Sequence, residues 1–215
     1  MKLSASTNPP KEDQLLSYIK ELDTLGVDMI HCDVMEEDFV SNTCLNPTIV
    51  KDIKLHTTLP LDVHFMGYPD REIVQSYLDA GANILTLHAE TIALKDWKKL
   101  NDMIHKANRL SGIAINPTTD VDAILPFLSH IDLVLIMSVV PGKSGQTYID
   151  STNDKIKEMV KKIRPYNILV EVDGGINLEL AKQLKELGVD IVVMGNALYK
   201  ADDRQQLVDS LHKIN

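Results

Sequence analysis

Two histidines and two aspartates, each closing a run of apolar residues, carry the densest chemistry in this chain. His31 and Asp33 stand in Ile30-His-Cys-Asp-Val-Met35, His64 in Leu61-Asp-Val-His-Phe-Met66, and Asp173 in Val170-Glu-Val-Asp-Gly-Gly175. The end of such a run is where a parallel strand presents its last side chains to an open face. Two imidazoles and two carboxylates meeting there make a site for a borderline-to-hard divalent cation with nitrogen and oxygen ligands. The same carboxylates can take up and return protons, so the set points to metal-assisted acid/base chemistry. Residues two apart on a strand share a face, so His31 and Asp33 point together, and Asp62 and His64 repeat the spacing. Cys32 points the other way and reads as a small buried hydrophobe rather than a nucleophile.

An internal repeat indicates what holds these residues. Leu25-Gly-Val-Asp-Met-Ile30 recurs as Ala80-Gly-Ala-Asn-Ile-Leu85 and as Leu187-Gly-Val-Asp-Ile-Val192. In each copy a glycine suited to a left-handed helix end precedes a buried strand. The glycines lie 55 and then 107 residues apart, near two and four units of about 27 residues, the spacing of an eightfold barrel. Strands are expected at Lys2–Ser6, Met29–Val34, Leu61–Phe65, Ile84–Leu87, Gly112–Ile115, Leu133–Met137, Ile168–Val172 and Ile191–Met194. Helical patterns fall between them, among them Gln14–Leu25, Arg71–Ala80, Lys95–Ala107, Asn153–Ile163 and Leu178–Leu187. The expected fold is a single-domain (β/α)8 TIM barrel over residues 1–215, with a doubly wound open sheet as the alternative.

Two further groups surround the candidate acids. Gly174-Gly175 and Gly195-Asn196 each follow one of the last two strands and lead into a helix, where backbone amides and a helix N-terminus attract an anion. In barrels these two loops commonly hold a phosphate. After the sixth strand, Pro141-Gly-Lys-Ser-Gly-Gln146 is a glycine-bearing loop long enough to fold over a ligand and exclude water.

Composition sets outer bounds. The 215 residues include 44% hydrophobic types, enough for one sizeable core. A formal charge of −9 argues against nucleic acid and anionic membrane surfaces as partners. The N-terminal residues lack a signal-peptide apolar stretch, and no later run approaches a membrane span. Only Cys32 and Cys44 are present, which gives no disulfide framework, so a reducing cytoplasm is the expected location.

Read together, these segments resemble the ribulose-phosphate 3-epimerase family, from Leu3 to about Lys200. The marks are Leu3-Ser-Ala-Ser6, the three strand ends above, Leu87-His-Ala-Glu90, Ile115-Asn-Pro117, Met137-Ser-Val-Val-Pro-Gly142 with Gly145-Gln146, Glu171-Val-Asp-Gly-Gly-Ile176 and Gly195-Asn-Ala197. The resemblance implies a ribulose-phosphate-binding type of barrel and one divalent ion per chain, held by His31, Asp33, His64 and Asp173. It implies Asp33 and Asp173 as the catalytic carboxylates. Ser6, His64, Gly142, Lys143, Ser144, Gly145, Gly174, Gly175, Gly195 and Asn196 correspond to substrate- and phosphate-binding positions. Met35, Met66 and Met137 correspond to an apolar lining of the reacting centre. A homo-oligomer is also implied.

The chain departs from the family's pattern around the substrate. Glu36-Glu37-Asp38-Phe39-Val40-Ser41 replaces the usual Asp-Gly-His-Phe-Val-Pro, and Lys143-Ser144 replaces an aromatic residue and a glycine. Asn196 stands where a serine is usual, and Thr7-Asn-Pro-Pro-Lys11 replaces Ile-Leu-Ser-Ala-Asp. The expected activity is epimerisation at C3 of a ketose phosphate: one carboxylate removes the proton, giving an enediolate, and the other reprotonates the opposite face. D-Ribulose 5-phosphate is the expected substrate, and D-allulose 6-phosphate is the alternative that the altered loops leave open. A lyase of the orotidylate decarboxylase type would carry Asp-x-Lys-x-x-Asp on the third strand, where this chain has Asp62-Val-His64. A non-catalytic sugar-phosphate binder would have no need of a stoichiometric cation. The mixed donor set accepts zinc, manganese, iron(II) or cobalt.

Overall fold

The structure, a computed structural model, describes residues 1–214. Eight parallel strands close into one barrel in sequence order: β1 Lys2–Ser6, β2 Met29–Met35, β3 Leu61–Met66, β4 Ile84–His88, β5 Leu110–Ile115, β6 Leu133–Met137, β7 Leu169–Asp173 and β8 Ile191–Met194. The closed barrel, rather than an open sheet, is therefore the fold. Helices α1 Glu12–Leu25, α2 Pro47–Leu55, α3 Arg71–Asp79, α4 Leu94–Lys106, α5 Thr152–Ile163, α6 Leu178–Leu187, α7 Asn196–Tyr199 and α8 Arg204–His212 flank it. Among the described residues no helix is long and apolar enough to cross a membrane.

Local sequence accounts for the element ends. Gly26, Gly81 and Gly188, the three repeat glycines, have φ of 74°, 104° and 96°, the left-handed region that a Cβ penalises. Asn46, Asp70, Asn177 and Asp203 cap α2, α3, α6 and α8 by accepting a hydrogen bond from a first-turn amide. Between β5 and β6 no α-helix forms. Val121–His130 is a 3-10 segment containing Pro126, whose missing N–H and ring oppose a regular α-helical turn.

Alternation along the strands divides the core into two. Outward-facing Ile30, Cys32, Val34, Val63, Phe65, Val134, Ile136, Val170 and Val172 join the large cluster beneath the helices. A smaller inner cluster contains Met29, Ile84, Ala114, Leu133, Leu135, Met137 and Ile191. The rest of the interior is polar, because β1 to β4 and β7 place Ser4, His31, Asp33, Asp62, His64, Thr86, His88 and Glu171 there, all buried. The inner face of β6 is thus apolar, whereas β2, β3, β4 and β7 form an ionisable side.

Gly112 on β5 makes room for that side: a Cβ there would fall on Thr86 Oγ1. Its backbone is not left-handed, so the constraint is steric. Gly112→Ala is expected to lower stability by about 1–3 kcal/mol through overpacking, measured as a reduced urea midpoint with an unchanged slope.

Candidate active site

Strand register brings the four candidate residues together. Pairing of β2 with β3 sets His31 beside Asp62 and Asp33 beside His64. Pairing of β6 with β7 sets Asp173 beside Met137 at the same end of the barrel. His31, Asp33, His64 and Asp173 each offer one ligand atom, and these atoms lie within 4.8 Å of one another. Asp33 Oδ1 is 3.4 Å from His31 Nε2 and 3.4 Å from His64 Nδ1. Ligands about 2.0–2.1 Å from a tetrahedral cation are about 3.3 Å apart, so these separations suit one ion. Both ring nitrogens are buried and lack a hydrogen-bond partner, an arrangement otherwise costly in a protein interior. The donor set and its orphaned nitrogens therefore fit a divalent metal.

The field at that point favours positive charge. Burial opposes a proton on His31, but Asp62 and Asp33 outweigh it and raise its pKa well above the usual value. Burial likewise opposes charge on Asp33, yet the neighbouring His31 imidazole holds its carboxyl below the usual range. Asp173 behaves oppositely: burial first, then the Asp33 charge, push it up to about 7. The two carboxyls thus differ in proton affinity, the condition that lets one act as base and the other as acid. Burial lowers His64 and brings His88 down to about 4.

Neighbours fix the orientation. Ser6 Oγ donates to Asp33 Oδ2 at 3.0 Å, and Ser4 Oγ donates to Asp62 Oδ2 at 2.8 Å. His31 Nδ1 is 2.6 Å from Asp62 Oδ2, and His64 Nε2 is 2.9 Å from His88 Nε2. Ser138 ties down the strand end that carries Asp173: its Oγ lies 2.8 Å from the Asp173 carbonyl oxygen and 2.7 Å from that of Gly174.

Above this floor opens a cavity of about 290 Å³. Asp33, Asp173, Ser6, Met35, Met66 and Met137 line its base, and Gly142–Gly145, Gly174, Gly175, Gly195 and Asn196 line its far end. Gly174 and Gly175 have φ of 124° and 68°, and a Cβ on Gly175 would fall 2.5 Å from the Tyr148 amide nitrogen. Only glycine lets these backbones approach so closely, as an anion-binding turn requires. His31 and His64 are fully buried beneath the floor and do not line the cavity, so His64, expected among the substrate contacts, is placed as a residue behind the acids. The cavity also takes in Asn8, Asn177 and Lys200, which sequence reasoning missed because they belong to loops. Their one available signal was proximity in sequence to Ser6, Gly175 and Gly195.

A parallel eight-stranded barrel with ionisable residues at its C-terminal mouth is a TIM barrel whose candidate site lies where such barrels place their active sites. Its overall shape matches 3-hexulose-6-phosphate synthase from Salmonella typhimurium, with a TM-score of 0.76, 18% identity, and coverage of 100% of this chain and 98% of that one. KGPDC from Streptococcus mutans matches with a TM-score of 0.77 at 13% identity over 99% of this chain and 96% of that one. At these identities the likeness concerns the fold alone. The family is settled by sequence: residues 2–199 match the ribulose-phosphate 3 epimerase family, and the chain belongs to it. Ribulose-phosphate 3-epimerase of Bacillus subtilis is 39% identical over 90% of this chain and 89% of its own length. The chloroplastic ribulose-5-phosphate-3-epimerase of Arabidopsis thaliana is 34% identical over 92% of this chain and 71% of its own length.

The donor set leads to a direct measurement. Elemental analysis of the purified protein should give about one divalent ion per chain, and a strong chelator should remove it together with activity. His64→Ala should lose both at once. Full activity in protein verified as metal-free would remove the site from consideration.

Proposed function

We propose that this chain catalyses metal-dependent epimerisation at C3 of a ketose phosphate, converting D-ribulose 5-phosphate and D-xylulose 5-phosphate into one another. Family membership supports the reaction class, and the names of its relatives support the pentose phosphate. The observation that carries the reading is the placement of Asp33 and Asp173 on separate strands at the base of one cavity whose far end is a glycine cradle. Residues 1–215 serve as a single catalytic unit in this reading.

Inverting a carbon beside a ketone requires removing a weakly acidic C–H proton from one face and returning one to the other. Asp33 Oδ2 is steadied by Ser6 and faces the cavity, so this carboxylate takes the C3 proton from ribulose 5-phosphate. Asp173, with its raised proton affinity, delivers a proton to the opposite face, and the two exchange roles in reverse. Asp33, His31, His64 and Asp173 would hold the cation, which supplies positive charge for the oxygen that becomes anionic as the proton leaves. Zinc, manganese, iron(II) and cobalt all suit this mixed donor set. Met35, Met66 and Met137 exclude water from the reacting carbon. The amides of Gly174, Gly175, Gly195 and Asn196 hold the phosphate and fix C3 between the acids.

Turnover in deuterated water should place solvent deuterium at C3 of the product. Asp173→Asn and Asp33→Asn should each abolish epimerisation, with exchange surviving from opposite epimers in variants that retain metal. Wild-type turnover without deuterium at C3 excludes transfer through exchangeable carboxylates. Ribulose 5-phosphate and allulose 6-phosphate, assayed side by side, should favour the pentose.

The cradle has its own readout. Gly195→Val should raise KM sharply while metal content stays unchanged, and the unphosphorylated ketose should be a very poor substrate because remote binding energy is lost. Equal efficiency with and without phosphate would rule the cradle out.

A further inference from the structure

Asp62, Glu171 and His88, all buried, and Glu90 at the surface next to them are not used by the chemistry above. Asp62 reaches His31 directly. His88 and Glu90 form a chain that starts at His64 and ends at the barrel rim, where the Glu90 side chain is partly exposed.

The hydrogen-bond order along this chain follows from its outer end. Glu90 Oε1 accepts from the Asn116 amide at 2.7 Å and from the Thr119 hydroxyl. Glu90 Oε2 lies 2.9 Å from His88 Nδ1. A carboxylate only accepts, so His88 Nδ1 carries the hydrogen and His88 Nε2 presents its lone pair. That lone pair faces His64 Nε2 at 2.9 Å, and two nitrogens at this distance need one hydrogen between them. His64 therefore carries its hydrogen on Nε2, and its Nδ1 is left bare, buried without a partner and 3.4 Å from Asp33 Oδ1. The rings of His64 and His88 stack at 5.0 Å with 27° between planes, and Phe39 covers His88 at 4.7 Å. Both imidazoles are themselves buried, so their ring nitrogens must find partners within the protein.

We infer that His88 and Glu90 are positioning residues that set the tautomer of His64 and aim its Nδ1 lone pair at the metal position, an inference that rests on the metal site proposed above. His31 is set in the mirror sense. Its Nδ1 lies 2.6 Å from Asp62 Oδ2 and donates there, which frees Nε2. The two histidines thus offer opposite nitrogens, one fixed by a carboxylate directly and the other through an intervening ring. Partners of this kind orient a ligand imidazole and raise its basicity.

Glu90→Gln tests this with little change of shape. The Asn116 amide still requires an oxygen, so the new NH2 group faces His88 Nδ1 and reverses the order. His88 then donates from Nε2, and the hydrogen of His64 moves to Nδ1, where it blocks the cation. Long-range 15N–1H spectra of metal-free protein should show His64 protonated at Nε2 and His88 at Nδ1 in the wild type, with both reversed in the variant. Zinc affinity, from competition with a chromophoric chelator, should fall by about 10- to 100-fold. The thermal midpoint of the metal-free variant should stay close to wild type, and excess zinc should restore kcat with KM little changed. A wild-type His64 protonated at Nδ1 overturns the inference without any variant. So does unchanged zinc affinity in Glu90→Gln while the wild type binds zinc. A wild type that binds no divalent ion overturns the metal site itself, and this inference with it.

Discussion

Several ionisable groups inside a closed barrel must satisfy one another, and the rest of the site follows from how they do it. Asp33, Asp62, His31, His64, His88 and Glu171 are all buried, where an unpaired charge is prohibitively costly. His31 is the hub, with Nδ1 against Asp62 and Nε2 toward Asp33. Asp62 and Asp33 raise the proton affinity of His31, and His31 in turn favours the ionised form of both carboxylates. Glu171, 3.9 Å from His31 Nδ1, is pushed the other way by burial and by Asp62, well above the usual carboxylate range. A cation between Asp33 and the two rings would replace protons that this arrangement already attracts.

The barrel makes such an interior possible because closure removes sheet edges and alternation decides which residues meet. Leu133, Leu135 and Met137 give β6 an apolar inner face, while His31 and Asp33 give β2 an ionisable one. At the mouth, Met137 of β6 and Met35 and Met66 of β2 and β3 line one cavity together with Asp33 and Asp173. An apolar wall limits the water that could quench a carbanion, and it also strengthens each electrostatic contact by lowering the local dielectric.

Much of this was legible in the chain itself. The repeat glycines announced left-handed turns, and Gly26, Gly81 and Gly188 adopt them. The alternation around His31, Asp33, Asp62 and His64 fixed their shared face, and strands expected at Leu133–Met137 and Ile191–Met194 form over those same residues. The 3-10 segment at Val121–His130 was not foreseen, since its apolar content follows no clean helical period around Pro126. Nor was the link from His64 to His88. The Leu87-His-Ala-Glu90 segment is plain in the sequence, but its contact with β3 depends on strand register, which only the folded sheet determines. Likewise, nothing in residue type distinguished His64 beneath the cavity floor from Asp33 at its surface.

Several of the departures from the family pattern, Asn8, Lys143, Ser144 and Asn196, line the same cavity. A Cβ at Gly142 would lie 2.9 Å from Val40 Cβ, and one at Gly145 would lie 2.8 Å from Asn196 Nδ2. Val40, which the chain shares with the family pattern, therefore packs against one glycine of the loop after β6, and the altered Asn196 after β8 packs against the other. Phe39, the residue before Val40, rests on His88, which contacts His64. Lys143 and Ser144, between the two glycines, line the cavity. Changes far apart in sequence thus meet at one cavity. Because tightly packed neighbours constrain each other's volume, restoring the usual serine at Asn196 would change the contact that its side chain makes beside Gly145.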